Sequence, residues 1–309
     1  MRSAMISRAF LIAVIVLIGS GVAAAYLVSG PSPSVPTLCV YGAVPVLATI
    51  TLVVGVTYGV ARVRGSQVPA VQRADLFPIL ASVMREYFAH VVMFLVLAPF
   101  ERIWRRDDIA RDATRPDVPV LLVHGYLLNG AAWWQFARLL ERAGFRAHVV
   151  SLTPSVGSID AMAGSLERRI EALCAASGAP RVHLVSHSMG GLVCRAYLRA
   201  SGSARVASLV TIAGPHHGTA LARLGIGEAA RAMMPDSNWL AALADAERQA
   251  EHPPTVVLFS YYDNYIAPQE SAMLPWARNE PLPPMGHVEM YFSRALAARV
   301  CKALQARAA

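Results

Sequence analysis

Ser188, Asp263 and His287, in that order along the chain, are the residue types needed for nucleophilic acyl transfer. A serine hydroxyl is a weak nucleophile. It becomes effective when a histidine takes its proton and later returns that proton to the leaving group. A carboxylate then fixes the histidine's tautomer and stabilises the imidazolium. Ser188 lies in LVSHSMGG (184–191), after the apolar run VHLV and before the helical stretch GLVCRAYLRA. A strand, a sharp turn and a helix in that order present a serine at the turn's tip. Small residues two before and two after it let the turn pack closely. Gly190 meets the second requirement, and Ser186 replaces the usual glycine at the first.

The remaining parts lie on either side. Upstream, LLVHGYLLNG (121–130) ends an apolar run with His124, Gly125 and Tyr126. The backbone N–H groups of Tyr126 and of Met189, the residue after the serine, are the expected donors to a developing oxyanion. Downstream, SYYDNYIAP (260–268) carries Asp263 and MGHVEMYFS (285–293) carries His287. Asp236 and Asp245 are rivals for the carboxylate but lie in a helical insertion. His252 precedes the last clear strand and would break the order. His124 reads as a brace for the oxyanion loop, and His216 with His217 as structural. Glu289 reads as a solvated carboxylate or a supporting neighbour of His287. His187, Met233, Met234 and Trp239 are candidates for contact with substrate, with core packing as the alternative for each.

VLLVHGY, LVSHSMGG, VTIAGPHHGTALA, SYYDNYIAP and GHVEM together resemble the bacterial triacylglycerol lipase and esterase branch of the α/β-hydrolases, over roughly residues 117–293. The resemblance implies hydrolysis of carboxylic esters through an acyl-enzyme on Ser188, with acyl lipids as the substrate class. It brings no metal-site motif, so neither metal nor cofactor is expected. A thioesterase or an acyltransferase would use the same triad and stays open as an alternative. A non-catalytic membrane scaffold would be favoured by a missing triad member, and all three are present.

These residues need a scaffold. From Pro116 onward, β-branched runs at 118–123, 146–152, 181–186, 205–213 and 255–260 alternate with helical stretches at 131–143, 160–177 and 190–201. That alternation predicts an α/β fold with a mainly parallel sheet between helices. Residues 219–254 are longer than an ordinary connection and are expected to form an insertion, either lid or acyl-pocket wall.

The N-terminal third differs. No Asp, Glu, Lys or Arg occurs between Arg8 and Arg62. Residues 9–28 and 38–61 are each long enough to cross about 30 Å of hydrocarbon. Around a Pro/Ser turn they predict a transmembrane hairpin. Arg2 and Arg8 precede it, Arg62, Arg64 and Arg73 follow, and the connecting loop has no arginine. That distribution predicts cytoplasmic ends at a bacterial inner membrane, with the catalytic domain cytoplasmic. A cleaved signal peptide ending near Ala23–Ala25 is the alternative for the first segment. Residues 76–100 are interrupted by Arg85, Glu86 and His90, and their spacing predicts an amphipathic interfacial helix. A third span is the alternative. The expected domains are therefore a membrane anchor at 1–62, a juxtamembrane segment at 63–115 and a catalytic domain at 116–309.

The net charge of +8 comes from 28 basic and 20 acidic residues. Residues 1–115 hold 11 basic and 6 acidic side chains, so much of the excess lies beside the apolar segments, where cations meet anionic headgroups. The expected partners are thus a membrane and an acyl-ester substrate, not nucleic acid. Cys39, Cys174, Cys194 and Cys301 show no metal-ligand spacing and read as four buried free thiols.

Overall fold

A computed structural model describes residues 4–105 and 118–305. Helix α1 (Ala4–Ser29) and helix α2 (Val35–Arg64) form an antiparallel hairpin. The Ser34 hydroxyl caps α2 by accepting the Thr37 N–H. A Cβ on Gly21 would fall 1.9 Å from the Tyr41 carbonyl oxygen, so glycine is what allows the two helices to cross this closely. Both are long and apolar enough to cross a membrane, and so, by the same measure, is Leu76–Leu97. At thirty residues α2 is about 45 Å long, more than a bilayer core needs. Its last turns reach the globular part, where Asn264 Nδ2 donates to Thr57 Oγ1 at 2.8 Å and the Ser66 N–H donates to Gln269 Oε1 at 2.7 Å. The other free end of the hairpin meets it too, through Asn129 Nδ2 and Ser7 Oγ at 3.2 Å.

Helix α3 (Leu76–Val92) continues into one π-helical turn at Met93–Leu97, and a short α4 (Glu101–Trp104) follows. Leu76, Leu80, Met84, Phe88, Val92 and Val96 form an exposed stripe at every fourth position. On other faces, Tyr87, Val91 and Leu95 pack on Val46, Ile50 and Val54 of α2, while Ala89, Met93 and Leu97 enter the core of the globular part. Helix α3 is thereby a layer between hairpin and domain. The expected boundary at 115–116 lies outside the described residues.

The globular part is a six-stranded parallel sheet. Its strands are β1 (Val120–Val123), β2 (Ala147–Val150), β3 (Val182–His187), β4 (Val206–Ile212), β5 (Thr255–Phe259) and β6 (Arg278–Pro281), in spatial order β2-β1-β3-β4-β5-β6. Successive residues of β1 face opposite sides. Val120 and Leu122 pack with α5 (Trp134–Arg142), α10 (Arg294–Gln305) and the end of α3. Leu121 and Val123 pack with α6 (Ile159–Ser177) and α7 (Met189–Ser201). The strand order turns at β1, and the crevice beyond the carboxyl ends of β1 and β3 is the usual position for a ligand in such a sheet.

The 219–254 excursion contains α8 (Gly227–Ala232) and α9 (Asn238–Glu247) and is anchored by a buried ion pair. Arg195 of α7 donates to both oxygens of Glu247, at 2.8 and 2.6 Å, and also to the His216 carbonyl at 2.8 Å. All four cysteines are free. Cys174, Cys194 and Cys301 are buried as expected, but Cys39 is exposed, because it lies on the outer face of α2.

Candidate active site

The turn after β3 gives Ser188 a backbone that few side-chain-bearing residues adopt, with φ 57° and ψ −132°. Such strain persists only where the surroundings hold it, and it gathers at functional sites. Here the Ser188 N–H donates to the Ile212 carbonyl of β4 at 2.8 Å, and the serine carbonyl accepts from Gly191 at 2.9 Å. The turn also lies tightly on β1, since a Cβ on Gly190 would be 2.5 Å from the Val123 carbonyl oxygen. Ser186, standing where glycine is usual, is fully buried, with its hydroxyl directed at the Val210 carbonyl. The hydroxymethyl group fits with its hydroxyl between the Val210 carbonyl of β4 and the Cys194 thiol of α7.

The loop after β1 reaches the serine. A Cβ on Gly125 would approach Ser188 Cβ to 2.9 Å, so only glycine lets this backbone come so near. His124 braces the loop, donating from Nδ1 to the Gly125 carbonyl at 2.8 Å and accepting the Leu152 N–H on Nε2 at 3.0 Å. Burial holds His124 neutral by lowering its pKa to about 4. The Gly125 N–H donates to the Tyr291 hydroxyl at 3.2 Å. Among the described residues, no protein acceptor takes the Tyr126 or the Met189 N–H. The Tyr126 side chain turns outward, with its hydroxyl donating to the Ile226 carbonyl at 2.6 Å and accepting the Ile226 N–H at 2.8 Å.

Asp263 and His287 are joined. His287 Nδ1 lies 2.8 Å from Asp263 Oδ2, and the second carboxylate oxygen accepts the N–H groups of Tyr265 and Ile266 at 2.7 and 3.0 Å. A carboxylate fully engaged on both oxygens cannot swing away. Since it accepts from Nδ1, the neutral imidazole keeps its basic lone pair on Nε2. The Tyr265 ring stacks on His287 with centroids 4.9 Å apart. Asp263 and His287 are both nearly inaccessible, and Ser188 is half-buried.

Three expected substrate contacts are placed elsewhere. His187 is 2% exposed and donates from Nε2 to the His287 carbonyl at 3.0 Å, so it lies behind His287 and is closed off from a ligand. Met233 is buried in the core with Met189 and Leu192. Trp239 donates its indole N–H to Asp160 at 3.0 Å and lies under Arg199, eleven residues along α7 from Ser188. At 1.5 Å per residue that is about 16 Å from the serine. The helical spacing of these residues reflects packing of the excursion on α6 and α7. Met234 is partly buried against the same core. His216 is buried, meeting Thr211 Oγ1 at 3.0 Å through Nε2. Sequence reasoning missed Glu247, Asn264 and Glu86 as supports. Their partners are distant in sequence, so no local spacing marks them.

The sequence profile of the α/β-hydrolase fold matches residues 118–235, a stretch that includes Ser188 and stops before Asp263 and His287. Pimeloyl-[acyl-carrier protein] methyl ester esterase of Vibrio cholerae is 41% identical over 95 residues, covering 30% of this chain and 36% of that one. Triacylglycerol lipase of the same organism is 32% identical over 116 residues, covering 36% of each chain. The chain thus spans about a third of the length of these curated relatives. The mature lipase BlEst2 of Bacillus licheniformis superposes with a TM-score of 0.55 at 18% identity, covering 62% of this chain and 94% of that one.

Proposed function

We propose that this chain, whose globular part has the α/β-hydrolase fold, is a membrane-anchored serine hydrolase that cleaves carboxylic esters of acyl lipids. The observation that carries the reading is the conjunction of a strained serine at the tip of the β3–α7 turn with a histidine oriented by a buried aspartate. The curated relatives named as a lipase and an esterase support it.

In the reaction, His287 Nε2 takes the Ser188 Oγ proton as Oγ bonds to the ester carbonyl carbon. The negative charge moves to the carbonyl oxygen, where the unclaimed N–H groups of Tyr126 and Met189 receive it. Each such donor is worth about 3 kcal/mol in comparable sites. Asp263 stabilises the imidazolium. Collapse of the tetrahedral species breaks the bond to the leaving alcohol, which takes the proton from His287 and leaves an acyl-serine. Water then repeats the sequence, releasing the acid and restoring the serine. Ser188→Ala is expected to lower ester turnover by about 10³- to 10⁶-fold, because members of a triad act as a unit. Wild-type turnover by the folded variant would end this reading. Esters of medium or long acyl chains are expected to exceed acetate esters in kcat/KM. A steady decline from acetyl to octanoyl would count against acyl lipids.

The same reading puts the catalytic domain on the cytoplasmic face of a bacterial inner membrane. Arginines flank both outer ends of the hairpin, and both ends contact the globular part. The apolar stripe of α3 then lies along the headgroups. A reporter fused after Ala309 tests this. Fluorescent green fluorescent protein with inactive alkaline phosphatase is the expected pair, and active phosphatase would put the enzyme outside.

A further inference from the structure

The catalytic histidine is held from outside the hydrolase fold. Each of the four backbone N–H groups from Gly286 to Glu289 donates to a side chain. Gly286 donates to Glu289 Oε1 at 2.7 Å, His287 to Asn264 Oδ1 at 3.0 Å, Val288 to Glu86 Oε1 at 3.0 Å and Glu289 to Glu86 Oε2 at 2.7 Å. Two of the four thus end on one carboxylate, Glu86 of α3, which is completely buried. Gly286 matches it, because a Cβ there would be 2.7 Å from Glu86 Oε2.

Contacts around this pair keep α3 in register. Ser82 Oγ and Arg85 Nε each reach Glu289, both at 2.6 Å. One turn beyond Glu86, His90 donates from Nδ1 to the Glu86 carbonyl at 2.8 Å. It accepts the hydroxyl of Tyr265, the residue stacked on His287, at 2.8 Å. The hairpin joins through Thr57, which holds the Asn264 side chain that accepts the His287 N–H.

A buried carboxylate is expensive unless its oxygens are satisfied, and Glu86 is satisfied mainly by the two peptide groups that follow His287. In turn those peptide groups depend on Glu86. We propose that Glu86 is a positioning residue for ester hydrolysis, holding the 287–289 backbone so that the imidazole stays aligned with Asp263 and Ser188. It makes the juxtamembrane helix a working part of the active site. The proposal rests on the serine-hydrolase reading, and it assigns Glu86 no contact with substrate.

The test uses the full chain in detergent, with wild type, Ser188→Ala, Glu86→Gln and Glu86→Ala assayed on a short p-nitrophenyl ester at a temperature well below each Tm. Displacing a catalytic group by an ångström costs about 10²-fold in rate. Glu86→Ala is therefore expected to lose about 10²-fold in kcat with KM unchanged. Glu86→Gln keeps one acceptor oxygen and the same shape, and is expected to lose about tenfold. A role in folding alone would lower the folded fraction and leave kcat per folded molecule intact. If the alanine variant does not fold, the isosteric Gln variant decides the matter. Wild-type kcat in folded Glu86→Gln, with Ser188→Ala inactive, overturns the proposal and leaves the hydrolase reading standing. Turnover in wild type that survives in Ser188→Ala removes both.

Discussion

His187 donates its Nε2–H to the backbone carbonyl of His287 at 3.0 Å, and the two rings lie 4.4 Å apart. The residue beside the proposed nucleophile therefore supports the residue that would deprotonate it. Burial, with a smaller push from His287, keeps the His187 imidazole well below its usual pKa, so it is neutral at pH 7 and its proton is committed to a carbonyl.

That arrangement separates the roles of the two histidines. His187→Gln, which retains an N–H donor of similar reach, is expected to keep at least about a tenth of wild-type kcat. His287→Ala is expected to lose about 10³-fold or more, as loss of a triad member does. Steady-state kinetics on a p-nitrophenyl ester measures both. The reverse order of losses would make His187 the base.

Acid should destabilise the fold. Burial lowers the pKa of His124, His183, His187 and His216, so these groups stay neutral in the folded chain while the unfolded chain protonates near 6.5. Below that pH the unfolded state binds more protons and stability falls. For His124 the loss continues to about pH 4, with a slope approaching about 1.4 kcal/mol per pH unit. Burial raises the pKa of Glu86 and of Glu289, which acts in the opposite direction, but these are two groups against four. Thermal melts in detergent at matched ionic strength are expected to give a lower Tm at pH 5.0 than at pH 7.5. An equal or higher Tm at pH 5.0 would contradict it.

Much of this was legible beforehand because it is local. Alternating β-branched and helical runs mark five strands, and the segments around Ser188 and Asp263 each follow one of them. The sixth strand, Arg278–Pro281, reads RNEP and carries no apolar signal. It is a strand only because it pairs with β5 at the sheet edge. The position of α3 was half legible. Its spacing gave an amphipathic helix, but Glu86 and His90, which look like interruptions of an apolar run, are buried against Val288, Glu289 and Tyr265 some 175 to 203 residues away in sequence. Trp239 misled for the same reason. Its partner Asp160 lies on another helix, so spacing within the excursion could not reveal it.

The ion pair between Arg195 and Glu247 offers a separate check on the excursion. Both side chains are buried, and removing one leaves the other charge uncompensated at a cost of about 3–5 kcal/mol. Arg195→Ala and Glu247→Ala are each expected to lower Tm strongly. Arg195→Met combined with Glu247→Leu, which removes both charges and fills the space, is expected to melt above either single variant. Additive losses in the double variant would mean that the pair is not coupled.

The most direct measurement is covalent labelling of the detergent-extracted full chain with a fluorophosphonate probe, followed by mass-spectrometric mapping of the modified residue. An activated serine at the β3–α7 turn should give one adduct, on Ser188. The adduct should disappear in Ser188→Ala and form far more slowly in His287→Ala. No adduct on a folded chain, or an adduct on another residue that persists in Ser188→Ala, would contradict the assignment of Ser188 as the nucleophile.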